Sequence, residues 1–207
     1  MIMKIIIKNI LILMLLLAAM PVNGMTPAEV MQKTVAKLDA APGISARFIA
    51  KGAQGSLSGM IMMDGTRSYM EFPQQGRQWF DGKTMWTLNS NTREVTVSSP
   101  EPMELRDANP FLYLKGYNKE YRLFFSKRKE AGRYLVLLNP RGKSNVKAIE
   151  VAVNTTTFLP ERFTVRMQDD QVSTVSISQL NLNKKCTVAD FTFPAAKYKE
   201  YEIVDLR

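Results

Sequence analysis

From residue 161 to residue 177 the chain reads Glu161-Arg162-Phe163-Thr164-Val165-Arg166-Met167-Gln168-Asp169-Asp170-Gln171-Val172-Ser173-Thr174-Val175-Ser176-Ile177. Phe163, Val165 and Met167 alternate with polar residues, Val175 and Ile177 alternate with serine or threonine, and the Asp169-Asp170 pair stands between the two runs. A side-chain period of two puts the apolar residues of a run on one face, so the stretch reads as strand, hairpin turn and strand with one buried side. Upstream, Ile149, Val151 and Val153 repeat the pattern. Asp64-Gly65 and Asp81-Gly82 divide apolar runs as hairpin turns do, and Asn139-Pro140-Arg141-Gly142 forms a longer turn. After Gly43 the enrichment in β-branched and aromatic residues extends through segment after segment, about ten strands in all.

Two helical segments stand outside this period. Thr26-Pro27-Ala28-Glu29 is a capping box with proline at the first helical position; Met31, Val35 and Leu38 then share one helical face, and Pro42-Gly43 stops the helix. The second segment lies between Pro100 and Tyr117, where Asn109 can cap a short helix that opens with Pro110 and continues through Phe111, Leu112, Tyr113 and Leu114. Antiparallel strands with one apolar face need cover, and only these two segments can supply it. The expected fold is therefore mostly β: a strongly curved antiparallel sheet, or half-open barrel, with the N-terminal helix and a helical lid on its concave side.

Residues 1–24 read as a secretory signal. Lys4 and Lys8 precede the apolar run Ile10 to Ala19, which is shorter than the ~20 residues of a membrane span, and Val22-Asn23-Gly24 offers small residues for cleavage before Met25. Residues 25–207 then form a single domain placed in the periplasm. No cysteine stands directly after the apolar run, where a lipoprotein would itself be acylated; the single thiol, Cys186, excludes an internal disulfide and reads as a small buried side chain. The formal net charge is +9, from 28 basic and 19 acidic residues. The cations are scattered, Lys127-Arg128-Lys129 being the only run and reading as a solvated turn, so the balance points to anionic phospholipid headgroups and away from nucleic acid.

The composition also bounds the chemistry. There is no histidine, which removes the commonest general base, the commonest zinc ligand and every Ser-His or Cys-His arrangement. No glycine-rich phosphate loop is present, and Asp169-Asp170 reads as a turn more readily than as an acid-base pair. The expectation is a protein without cofactor or catalysis. Met60, Met62, Met63, Met70 and Met85 fall close to Tyr69, Trp79 and Trp86. Such residues form either a well-filled core or an adaptable interior for apolar ligands.

Four stretches in order carry a family resemblance. They are the strand around Phe48 with the glycine-marked strand Gly55 to Met63; Asp81-Gly82-Lys83-Thr84-Met85-Trp86; Asn109-Pro110-Phe111-Leu112; and Gln168-Asp169-Asp170-Gln171 with Asp190-Phe191-Thr192-Phe193-Pro194 and the closing Glu202 to Arg207. Together they make the chain similar to the LolA family of outer-membrane lipoprotein carrier proteins. The resemblance implies a monomeric periplasmic carrier that takes acylated lipoproteins from an inner-membrane lipoprotein-releasing transporter and passes them to an outer-membrane acceptor whose identity stays open. It implies a ligand cavity walled by Phe48, Ile61, Met63, Tyr69, Met85, Trp86, Phe163 and Val165 under a lid holding Phe111, Leu112 and Leu114, with Leu114 touching the sheet near Phe163. Where the family carries an Arg-Pro pair whose arginine latches the lid, this chain has Gly65 and Thr66, and Arg67 is near but not equivalent. The alternative is an envelope domain of related fold that senses lipoprotein, or binds a partner protein, without delivering cargo.

Overall fold

The structure is a computed structural model that describes residues 24–53 and 55–207. All of the expected signal segment except Gly24 lies outside those residues. The chain opens with helix α1, Pro27–Asp39, whose capping box forms as its sequence predicts: the Thr26 hydroxyl accepts from the Glu29 N–H at 3.2 Å, and the Glu29 carboxylate accepts from the Thr26 N–H at 2.7 Å. Val30, Met31 and Thr34 are the fully buried positions of this helix, while Val35 and Leu38 pack at the margin of the core.

Strands β1 (Ile44–Gly52), β2 (Gly55–Asp64), β3 (Arg67–Phe72), β4 (Gly76–Phe80), β5 (Met85–Asn89) and β6 (Glu94–Ser98) follow as a meander. The lid segment then intervenes, and β7 (Tyr121–Phe125), β8 (Arg133–Pro140), β9 (Val146–Asn154), β10 (Pro160–Met167) and β11 (Val172–Asn181) form a second meander before the short β12 (Glu202–Asp205). Among the described residues all twelve strands join one open, curved sheet in the order β12-β6-β5-β4-β3-β2-β1-β11-β10-β9-β8-β7. The sequence pattern suggested about ten, because strands of four or five residues such as β4 and β12 are too short to display a period. Neighbours are antiparallel except β12, which lies parallel to β6.

Register assigns the faces. Phe48 sits opposite Gly59 on one side and Ile177 on the other; Val175 faces Phe163, Phe163 faces Val151, and Val151 faces Val136. These residues, with Ile44, Ala46, Ile61, Met63 and Met70 and with Val30 and Met31 of α1, form the main core on the concave face. Gly59 is required here. A Cβ at that position would stand 2.8 Å from Phe48 Cζ and 2.5 Å from the Glu71 carbonyl oxygen, so only glycine lets the Phe48 ring cross the strand and meet Phe72 edge-on at 5.9 Å.

A second, smaller core lies on the opposite face. Trp79, Leu88 and Val95 are covered there by Phe193 and Tyr198 of the C-terminal segment, with Tyr69, Trp86 and Tyr201 at the edge. This corrects the sequence reading that grouped Tyr69 and Trp86 with the cavity: Tyr69 pairs with Trp79, and Trp79 with Trp86, so all three point away from the concave side. Cys186 is half-buried rather than buried, lying over Gly43, where any added Cβ would stand 2.9 Å from its sulfur. Asp169 and Asp170 form the β10–β11 turn, with Asp170 at φ 61° and paired with Lys147 at 2.7 Å. The turn reading thus stands. Lys127, Arg128 and Lys129 are exposed between β7 and β8.

Candidate functional site

The segment between β6 and β7 decides what the concave face can do. It comprises α2 (Pro102–Ala108), a 3-10 helix Pro110–Leu114 and the short α3 (Tyr117–Glu120). Asn109 joins the first two with a buried side chain: its carbonyl oxygen accepts from the Phe111 N–H at 3.1 Å, and its amide nitrogen donates to the Met63 sulfur at 3.3 Å. All five residues of the 3-10 helix are buried. An excursion between two strands normally runs over the surface, whereas this one is pressed into the hollow of the sheet. The Phe111 ring meets Phe163 edge-on with centroids 5.5 Å apart. Phe163 thus has Phe111 as its ring partner, and Leu114 is buried in the same core.

Two cavities remain beneath this plug. The first, about 230 Å³, is bounded by Phe48, Ala50, Leu57, Ile61, Met70, Phe72, Val175 and Ile177 of the sheet and by Ala108, Pro110 and Phe111 of the lid, with Gln78 as its one polar lining side chain. The second, about 210 Å³, lies between α1 and the lid, where Val35, Leu38, Ile44, Met63, Phe111 and Leu114 meet a rim holding Asp39, Asp64 and Lys115. Phe111 belongs to both walls. Each cavity falls below the ~300–1,000 Å³ usual for ligand pockets, and the two together fall within it.

Of the residues named from sequence, Phe48, Ile61, Met63, Phe111 and Leu114 line these cavities. Phe163 backs Phe111, and Val165 lies in the same core. Met85 and Leu112 are buried without lining either cavity. Tyr69 and Trp86 are on the far face. The sequence reading missed Ala50, Leu57, Phe72, Val175 and Ile177 as wall residues; the last two carry the alternation that marks an apolar face, but their place beside Phe48 depends on the β1–β11 pairing.

Residues 22–171 match the profile of the family described as outer membrane lipoprotein carrier protein LolA. The chain belongs to the LolA family. Solved structures that resemble it include an uncharacterized conserved protein from Thermus thermophilus, at 13% identity over 86% of this chain and 98% of that one with a TM-score of 0.57. A LolA superfamily protein from Nitrosomonas europaea matches at 11% identity over 82% and 99% with a TM-score of 0.41. The Pseudomonas aeruginosa MucA/MucB complex matches at 12% identity over 82% and 61% with a TM-score of 0.47. A comparison with curated proteins finds no match.

In this LolA family member the lid segment is tied to the sheet at the β2–β3 turn. Gly65, at φ 62° in the β2–β3 turn, offers its carbonyl, and Lys115 at the end of the 3-10 helix donates its ammonium to that oxygen at 2.9 Å. The cation thus comes from the lid and the acceptor from the sheet. Arg67 plays no part in this: it pairs with Asp64 and lies over the Phe191 ring at 5.3 Å. A second tie is internal to the lid, where Arg106 of α2 grips both Glu120 oxygens of α3 at 2.6 and 2.9 Å. That bidentate bond raises the guanidinium above its ordinary value, and burial raises the Tyr117 and Tyr121 phenols above 10.0. Among the described residues no group of three or more carboxylates or thiols is gathered to hold a metal.

Proposed function

We propose that this protein is a periplasmic carrier that binds the acyl chains of lipoproteins in the hollow beneath its lid and moves them from the inner to the outer membrane. The observation that carries the reading is the plug. Phe111 stands in the wall shared by the two cavities, and it is supplied by a separate segment held at its rim by Lys115. An acyl chain of about 16 methylenes exposed to water costs about 13 kcal/mol at ~0.8 kcal/mol each, so a carrier must offer a dry cavity. An empty cavity of that size would itself be destabilising. A segment that fills the hollow in the free state and leaves when cargo arrives meets both conditions, and near balance between lid contacts and acyl contacts keeps loading reversible.

Membership of the LolA family and the signal-like first 24 residues support the same reading. Depletion with membrane fractionation tests it: a carrier's loss strands lipoproteins at the inner membrane, whereas the loss of a sensing domain changes a response and leaves lipoprotein distribution intact. A photo-crosslinker at Leu114 should also capture acylated protein, and recovery of unmodified chain alone would count against the proposal.

A further inference from the structure

On the back of the lid lies a groove of about 320 Å³, between α2 and α3 on one side and the β8–β9 loop on the other. Its lining includes Arg106 and Lys119 from the lid, Arg141 and Lys143 from the loop, and one carboxylate, Glu120. That carboxylate is already engaged on both oxygens by Arg106. Lys119 and Lys143 are exposed and have no acidic partner among the described residues. Arg141 is fixed at its root: its N–H donates to the Glu120 carbonyl at 2.9 Å and its Nε to the Tyr121 carbonyl at 3.0 Å, leaving the two terminal nitrogens without a protein acceptor among the described residues. The groove therefore concentrates positive charge that the protein does not neutralise. The contrast lies on the outer face of β8–β10, where Arg128, Arg133 and Arg162 are each matched by Glu130, Glu150 or Glu161.

We propose that this groove binds a phosphate-type anion. A planar guanidinium with free donors and two exposed ammonium groups, lining one concavity, suits a tetrahedral oxyanion with several acceptors better than a single carboxylate. Met103 of α2, 41% exposed, lines the same groove and offers apolar contact beside the anion. A phosphate that carries an aliphatic tail, as a phospholipid headgroup does, would use both features; a free phosphate would use only the cations. The site needs no cargo in the hollow, so it stands or falls apart from the carrier reading.

The test uses the protein expressed from its full-length sequence and three probes: vesicles of phosphatidylcholine alone, the same vesicles with phosphatidylglycerol, and inorganic phosphate followed by calorimetry. Lys119→Gln with Lys143→Gln removes two exposed cations of the groove, and Lys51→Gln with Lys185→Gln changes the net charge equally elsewhere. Binding to the phosphatidylglycerol vesicles should weaken about thirty-fold in the groove variant, the factor that corresponds to ~1 kcal/mol per cation, and should be retained in the control. Binding of inorganic phosphate that is lost in the groove variant alone would assign the site to a soluble phosphate. Equal loss in both variants, or no binding of any probe by the unmodified protein, overturns the proposal.

Discussion

Phe111 and Lys115 are the residues on which the lid turns, and each makes a separable prediction. Replacing Phe111 with alanine removes the wall between the two cavities, and as a large-to-small change in a packed core it should cost about 3–5 kcal/mol of stability. A long-chain fatty acid added to the variant should restore more of its melting temperature than it adds to the unmodified protein, since a ligand that binds only the folded state stabilises it in proportion to occupancy. Equal shifts in a thermal melt would mean that the enlarged hollow is not where acyl chains go. Lys115→Met should cost only about 0.5–1 kcal/mol, the worth of one exposed hydrogen bond. Because that bond exists only with the lid seated, its loss should tighten fatty-acid binding two- to five-fold, about the same energy expressed as affinity. At this scale the sequence was only partly readable. Asn109, Pro110 and Phe111 announce a capped apolar turn by their types alone. The bond from Lys115 to Gly65 could not be read, because it joins a side chain to a backbone carbonyl 50 positions away and leaves no mark on either residue's identity.

Among the elements, α1 and the lid were legible and the C-terminal segment was not. The capping box of α1 is written into four consecutive residues, and Thr26→Ala should lower stability by about 1 kcal/mol in a denaturant titration. The failure at Tyr69 and Trp86 has a physical cause. In Trp79-Phe80 and Met85-Trp86 adjacent residues are both apolar, so alternation does not say which face is the inner one. The answer comes from Phe193 and Tyr198, which cover Trp79 from the outside; the Phe193 ring stands 5.4 Å from Trp79 and 5.5 Å from Tyr198. Two cores on opposite faces of one sheet should respond independently. Phe193→Ala should destabilise the fold by about 3–5 kcal/mol yet leave the affinity for a fluorescent fatty acid unchanged at temperatures where the variant stays folded, whereas a parallel loss of affinity would show that the two faces are coupled.

For the molecule as a whole, the absence of histidine removes the one side chain that ordinarily titrates between pH 5 and 8. The depressed carboxyls lie lower. Arg207 holds Asp205 at about 2, and Asp170 and Glu130 are lowered by Lys147 and Arg162 respectively, while backbone and hydroxyl donors of Thr26 lower Glu29. A folded-state value below the unfolded one gives stability that is present above the unfolded value and is lost as pH falls through the folded one. The melting temperature should therefore be nearly flat from about pH 5.5 to 8 and fall below about pH 4. Burial raises Tyr117 of the lid and Tyr121 of β7, so their contribution is complete below pH 10 and is lost as the medium becomes more alkaline than that. The overall architecture was the most readable level, since many strands and little helix leave few ways to hide one apolar face. Strand order was not. The central ladder joins β1 to β11, with Phe48 opposite Ile177, and such distant pairing is encoded in no local window. It also governs when the fold can exist. A ribosome must release almost the whole polypeptide before the first strand finds its second neighbour, so the central ladder of the sheet can close only late in synthesis.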